Sequence, residues 1–297
     1  MPRSAIARLA FIGFGEAART FLGAWDDDRP LSLGAFDIKS ERAETRTTIH
    51  KAYADHGVDG AETPAEALAG ATAALSLVTA DQALAAAEAG APHLAPGAWW
   101  FDGNSCAPDT KRRAAAAVAR HGGRYVDMAI MAPVNPLRLR VPVLLAGPDA
   151  AEGQKVLETL GFSPALAGAE VGQATAIKMI RSVMIKGIEA LTAECFLAAR
   201  RAGVEEAVLA SLGRSDPQTD WPRRGAYNLE RMMRHGARRA AEMREVAVTL
   251  ADLGLPDGMT RACIDWQARI AAAGLEAGPE DLAARADAIL GALFPDE

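Results

Sequence analysis

Apolar and polar positions follow two different rhythms along this chain. In the first half, short apolar runs stop at a glycine or a polar residue, and the segments after them carry apolar residues three or four apart. Ile6 to Ile12 is such a run, closed by Gly13, and GEAARTFLGAW then places Ala17, Ala18, Phe21 and Leu22 at helical spacing. The pattern predicts strand, turn, helix. Leu31 to Ile38 and Ala73 to Ala80 predict two further strands, with a polar helix over Ala43 to His56 and a helix start at TPAEAL between them. Ala98 to Asn104, Arg124 to Ile130 and Val141 to Gly147 continue the series, an alanine-rich helix separating the first two. The last two are joined without a helix, which predicts a mixed or antiparallel edge. Strands alternating with helices over this length predict parallel βαβ units in a doubly wound sheet.

After GFSPALAGAEVG the rhythm changes. Ala174 to Ala202 keeps one helical period, in which Ile177, Ile180, Met184, Ile188, Leu191 and Cys195 recur at steps of three or four. Glu205 to Leu212, Tyr227 to Leu253, Asp257 to Ala273 and Glu280 to Leu293 read as further helices separated by Gly and Pro. The fold class is therefore α/β: a doubly wound domain over 1–168, then an all-helical domain over 169–297.

Composition narrows the function. A chain of 297 residues, half of them apolar, can bury two ordinary cores. A net charge of −6 and a pI near 5.5 provide no general cationic field, which argues against nucleic acid and for a small-molecule substrate. Cys106, Cys195 and Cys263 show no CxxC spacing, so no metal is expected and a reducing cytoplasm fits them. No run approaches the roughly 18 apolar residues that span a bilayer, so the chain reads as soluble without a membrane partner. The opening residues, with Arg3 and Arg8 and an apolar run broken by Gly13, Glu16 and Arg19, do not match a cleaved secretory segment.

The first turn carries candidate chemistry. GFGEAA (Gly13 to Ala18) fits GxGxxA, with Ala18 at the third small position. Gly13 permits the tight turn, and Gly15 lets backbone approach a pyrophosphate. Phe14, Glu16 and Ala17 complete a turn whose amides face its charge. By itself the pattern also suits a glycine bend that binds nothing. Asp37, at the end of the second predicted strand and 37 − 13 = 24 positions on, strengthens it. A carboxylate there can accept hydrogen bonds from both ribose hydroxyls and repels a 2′-phosphate, favouring NAD. Lys39 and Arg42 just beyond keep NADP open.

With this turn, a helical second domain and VGQATAIKMIRSVMIKGIEALTAE (Val171 to Glu194), the chain resembles the β-hydroxyacid dehydrogenase superfamily, which includes 6-phosphogluconate and 3-hydroxyisobutyrate dehydrogenases. It is most similar to a phosphogluconate-dehydrogenase-like branch with a distinct C-terminal domain. The resemblance implies a Rossmann domain, a homodimer and an NAD(P)-dependent oxidoreductase. Such an enzyme moves a hydride between nicotinamide and the hydroxyl carbon of a small acid, a β-hydroxy acid by this likeness, and decarboxylation can follow. It also implies a GxxxxxKxxxN helix, matched at Gly172 and Lys178, with Ser182 at the asparagine position; Lys178 then becomes the acid/base. Lys178 stands beside Ile177 and Ile180, where partial desolvation would lower its pKa, although an ordinary helix lysine fits the same spacing. Ser182 and Ile185 share its face, and Arg181 reads as a carboxylate anchor or a solvated charge.

WWFDGNSCAP is similar to the family's D-x-S-T segment with its following proline. Asp102 and Pro108 match, and Asn104 falls on the serine that touches substrate and nicotinamide. DMAIMAP matches the carboxylate-binding loop at Asp127, but Met131, Ala132 and Pro133 replace Ser-Gly-Gly. Met131 suggests either a less polar ligand or a methionine filling a core gap. The resemblance puts Val78 and Thr79 backbone along the adenosine and ribose, while Thr79 and Asp81 suit a helix cap equally. In RHGARRAAEMREVAVTLADLGLP, Glu242 takes an aspartate position and Ala241 that of a cofactor-contacting lysine. His235, Arg238 and Arg239 are candidate substrate-facing cations or a solvated face. The alternatives to a dehydrogenase are an NAD(P)-binding sensor or scaffold without turnover and an imine or keto reductase, of which the lysine disfavours the imine option.

Overall fold

The computed structural model describes residues 6–25 and 32–295. The start of the second predicted strand at Leu31 and the outermost residues of both expected domains lie outside them. Contacts divide the chain into two compact units, Met1–Lys178 and Met179–Glu297.

Unit 1 is built on one sheet of β1 (Arg8–Ile12), β2 (Ser32–Phe36), β3 (Asp59–Gly60), β4 (Ala73–Ser76), β5 (Trp99–Asp102), β6 (Arg124–Ile130), β7 (Val143–Ala146) and β8 (Ala165–Gly168). Their spatial order is β3-β2-β1-β4-β5-β6-β7-β8, and every pair is parallel except β6 with β7. The antiparallel pair falls where a helix was missing from the sequence pattern. It is not the edge, however, because β8 adds a further parallel strand beyond β7.

Alternate residues of a strand face opposite sides of a sheet, and the central strands are apolar on both. Leu9, Phe11, Leu75 and Phe101 enter one core layer, while Ala10, Ile12, Ala74 and Trp100 enter the other. Phe11, Leu75 and Phe101, each 0% exposed, contribute about 1.5–3 kcal/mol apiece by burial. Six helices cover this sheet: α1 (Glu16–Leu22), α2 (Ala43–Asp55), α3 (Pro64–Leu68), α4 (Ala83–Gly90), α5 (Pro108–Arg120) and α6 (Ala150–Thr159). α3 starts at the predicted signal, where the Thr63 hydroxyl accepts from the Glu66 amide and Pro64 occupies the first helical position.

The division between the units falls inside α7 (Gln173–Arg201). The expected boundary at 168 coincides with the last strand, but unit 1 runs on to Lys178 because Asp127 of β6 grips the start of α7, as described below. Unit 2 comprises the rest of α7 with α8 (Glu205–Ser215), α9 (Trp221–Asp252), α10 (Gly258–Ala272) and α11 (Leu282–Leu293). α9 begins earlier than its apolar period, since Asp220 accepts from the Arg223 amide. Among the described residues unit 2 holds helices only.

α7 exposes apolar residues on one side while burying others, Met179, Ala193, Phe196 and Leu197, on the opposite one. Of the apolar positions that set its period, Ile177, Ile180, Met184 and Leu191 point outward, 43–63% exposed. Its buried positions include Ser182, Lys186, Glu189 and Thr192. No helix of the described residues is long and apolar enough to cross a membrane.

Candidate active site

The order of the central strands reverses direction between β1 and β4, which opens a crevice beyond their carboxyl ends. The turn after β1 lies there. Gly13 adopts φ +90°, and a Cβ on it would meet the Leu77 carbonyl oxygen at 2.6 Å, so the turn excludes any side chain at that position. Gly15 is the opposite case. It precedes α1 without a side-chain cap, and a Cβ on it would meet no protein atom within 4 Å. The backbone there faces open space, the condition a closely approaching pyrophosphate needs. The Phe14 ring turns the other way, buried against Phe11, Tyr53 and His56.

Asp37, 8% exposed, stands at the end of β2. Its Oδ2 accepts from the Phe14 amide at 2.8 Å and its Oδ1 from the Lys39 amide at 3.0 Å. The carboxylate is thereby held against the turn, while Lys39 and Arg42 are exposed beside it. Burial, then the Asp37 charge, push the phenol of nearby Tyr53 above its ordinary range. Gly13, Gly15 and Asp37 fit a dinucleotide at this end of the sheet. Among the described residues no group of three or more His, Cys, Asp or Glu is arranged to hold a metal.

The ends of β4 and β5 are tied by Asn104. Its Oδ1 accepts from the Val78 amide at 2.7 Å, its Nδ2 donates to Ser76 Oγ at 2.9 Å, and its own amide donates to Asp102 Oδ1 at 3.0 Å. At 2% exposed, Asn104 shapes the loop from within. Thr79 is exposed at the start of a short 3-10 turn, and its hydroxyl makes no capping bond there.

The residue brought against Lys178 is Ser105. Lys178 Nζ donates to Ser105 Oγ at 2.6 Å, and both side chains are half-buried. Ser105 was not singled out by motif, because Asn104 already filled the matching position; its signal is a second polar residue in the same loop. Ser182 is 5% exposed, and its Oγ accepts from Lys186 Nζ at 2.9 Å within unit 2. Arg181 is exposed on the next turn after Lys178. Ile177 and Ile180, expected to dry the lysine, are 43% and 49% exposed. Met131 packs with Ala129, Ala146 and Ala174, which favours the gap-filling reading.

Beneath this pair lies a buried ion cluster. Lys111 of α5, 0% exposed, donates to the Asp102 carbonyl and to Asp102 Oδ1 at 2.9 Å, and its ammonium is 3.4 Å from Asp127 Oδ1. Tyr125 donates its hydroxyl to Asp102 Oδ2 at 2.7 Å. Asp127 Oδ2 accepts from the Gly172 and Thr175 amides at 3.0 and 3.1 Å, and Thr175 Oγ1 donates to the Cys106 carbonyl at 2.9 Å. The two carboxylates thus hold the loop that carries Ser105 and the first turn of the helix that carries Lys178. Burial alone would lower the Lys111 pKa, but Asp102 and then Asp127 hold it above the ordinary lysine range. Burial raises Asp127, against the pull of Lys111. Arg238 and Arg239, the candidate substrate-facing cations, carry internal pairs: Arg238 with Glu242, and Arg239 with Glu189 at 2.9 Å.

Comparison with known proteins agrees with this geometry. Residues 9–160 match the family described as the NAD binding domain of 6-phosphogluconate dehydrogenase, and residues 199–270 match a domain of unknown function, DUF1932. A conserved hypothetical protein from Sinorhizobium meliloti 1021 is 38% identical, with 98% of each chain covered and a TM-score of 0.76. A conserved protein of unknown function, described as structurally similar to 3-hydroxyacid dehydrogenases, is 30% identical over 89% of this chain and 96% of its own, with a TM-score of 0.67. The fold extends to 3-hydroxyisobutyrate dehydrogenase of Mycobacterium tuberculosis, solved with L-serine, at 17% identity, 96% and 98% coverage and a TM-score of 0.70. The chain belongs to the family of the NAD binding domain of 6-phosphogluconate dehydrogenase, on an NAD(P)-binding scaffold of the hydroxyacid dehydrogenase type.

Proposed function

We propose that this protein is an NAD(P)-dependent oxidoreductase that oxidises the hydroxyl carbon of a small organic acid, or reduces the corresponding ketone, with Lys178 as acid/base. The observation that carries the reading is the 2.6 Å hydrogen bond between Lys178 Nζ and Ser105 Oγ, in the unit that matches an NAD binding domain. When bound, the dinucleotide supplies the hydride acceptor. Lys178, as the neutral amine, takes the hydroxyl proton during oxidation; as the ammonium, it returns that proton during reduction. Ser105 orients the amine. Asn104 holds the wall of the loop. A β-keto acid product can lose carbon dioxide, and Lys178 then protonates the enolate oxygen.

Asp37 beside the turn supports NAD as the preferred dinucleotide, tested by comparing NADH and NADPH dissociation constants. The outward apolar positions Ile177, Ile180, Met184 and Leu191 support a homodimer; a monomer by light scattering removes that part. Three free cysteines support a reducing cytoplasm, tested by fractionation. The central experiment is Lys178→Ala. Turnover falls by about 10²–10⁴ while NADH affinity stays within about twofold. Unchanged turnover refutes the role of Lys178. A wild-type protein that binds NADH but turns over no hydroxy acid, polyol acid or keto acid is instead a sensor or scaffold.

A further inference from the structure

Unit 2 holds a second cluster of charges that the proposed reaction leaves unused. α9 places Arg231, His235, Arg238 and Arg239 at i, i+4, i+7 and i+8, on one helical face. Two carboxylates answer them, and both are already engaged at each oxygen. Glu189 Oε1 pairs with Arg239 Nη1 at 2.9 Å, and its Oε2 accepts from Gln267 Nε2 of α10 at 2.9 Å. Glu242 Oε2 pairs with Lys186 Nζ at 3.1 Å, and its Oε1 pairs with Arg238. Glu230 is turned to Arg234, at 3.0 Å.

Arg231 is the exception. It is half-buried, no ion pair or hydrogen bond holds it among the described residues, and its Nε is shielded from solvent without a partner. The Nε of Arg239, a residue only 7% exposed, is likewise buried and unpartnered. Among the described residues, Lys186, Arg231, Arg238 and Arg239 outnumber the Glu189 and Glu242 carboxylates that pair with them. Burial first, then Arg231, Arg238 and Arg239, keep the His235 imidazole below its ordinary pKa, so at neutral pH it is an uncharged ring with one N–H to donate. An excess of shielded, unsatisfied cationic donors is unfavourable until an anion answers it.

We propose that Arg231, His235 and Arg239 form a binding site for a small oxyanion, a carboxylate or phosphate group of a ligand. The open fork of Arg231 can take two oxygens of either group, Arg239 offers its remaining Nε–H, and His235 adds a neutral donor. The site belongs to unit 2 alone and does not require Lys178 to be catalytic, so either reading can fail without the other.

The test titrates the full chain with inorganic phosphate and, separately, with malonate, by calorimetry and by the His235 imidazole resonances. Saturable binding of either anion in the millimolar range with movement of those resonances is expected; which anion binds more tightly identifies the group. Arg231→Met weakens that binding about tenfold or more. Its melting temperature without anion is equal to or above the parent's, because an unpaired guanidinium has been removed. Arg231→Lys keeps the charge without the fork and falls between. Gly15→Val, which fills the dinucleotide turn, leaves the binding intact. The proposal is overturned if neither anion binds saturably, if Arg231→Met and Arg231→Lys both keep full affinity, or if Gly15→Val abolishes the binding.

Discussion

Lys111→Met tests the cluster beneath Lys178. The ammonium sits 2.9 Å from Asp102 and 3.4 Å from Asp127, with all three side chains 0% exposed. At an effective dielectric constant of about 20, those separations correspond to a gross attraction of about 10 kcal/mol. The variant does not lose all of it, because one of the two stranded carboxylates takes a proton. Asp127, already raised by burial, is the natural recipient. Protonating a carboxyl of ordinary pKa near 4 at pH 7 costs about 4 kcal/mol, which caps the loss and agrees with the 3–5 kcal/mol typical of a broken buried pair. The sign with pH follows. In the variant the folded-state carboxyl pKa lies above its unfolded value, so stability is retained at low pH and lost as pH rises, leaving a deficit of about 1.5 kcal/mol at pH 5. In the parent, the raised Lys111 pKa gives a contribution fully present below about pH 10.4 and lost only at higher pH. Urea unfolding followed by fluorescence of the buried Trp25 and Trp100 measures both at pH 5 and 7. A deficit under about 1 kcal/mol at pH 7, or an equal deficit at both pH values, refutes the reasoning.

Gly15→Val leaves stability within about 0.5 kcal/mol but weakens NADH about tenfold or more, because its side chain enters space no protein atom fills; titration fluorimetry and melting separate the two effects. Gly13→Val destabilises by about 2 kcal/mol or more, since φ +90° and the Leu77 carbonyl both oppose it. Asp37→Ala frees the Phe14 and Lys39 amides and narrows the NADH over NADPH preference, read from the ratio of dissociation constants. Asp281→Ala removes the acceptor 2.7 Å from the Ala284 amide at the start of α11 and costs about 1 kcal/mol in denaturant unfolding.

Local chemistry was legible where a residue acts within its own element. The run Ile6 to Ile12 announced a strand, and Asp37 was visible because a strand end and a glycine turn have fixed spacing. β3 and β8 were not legible: one is Asp-Gly alone, the other is ALAG, largely exposed and without a β-branched residue. Lys111 was hidden in PDTKRRAAAAVAR, where a charged helix start reads as a solvated face, and its burial comes from Asp102 and Asp127 on other elements. Ser105 stands beside the motif-matching Asn104, and a motif aligns positions without saying which side chain turns toward a distant lysine. The outward apolar positions of α7 mark the same limit, because a period of 3.6 identifies a face without saying what lies against it.

The grip of Asp127 on Gly172 and Thr175 spans 45 and 48 positions of sequence, and it decides where the chain can be cut. A fragment ending after Gly168 would retain every strand, yet it would keep a carboxylate inside the sheet end stripped of both amides that donate to it. Dissection should instead follow the helix past Lys178, so that the piece containing the dinucleotide turn also carries the cap that lets its last strands close.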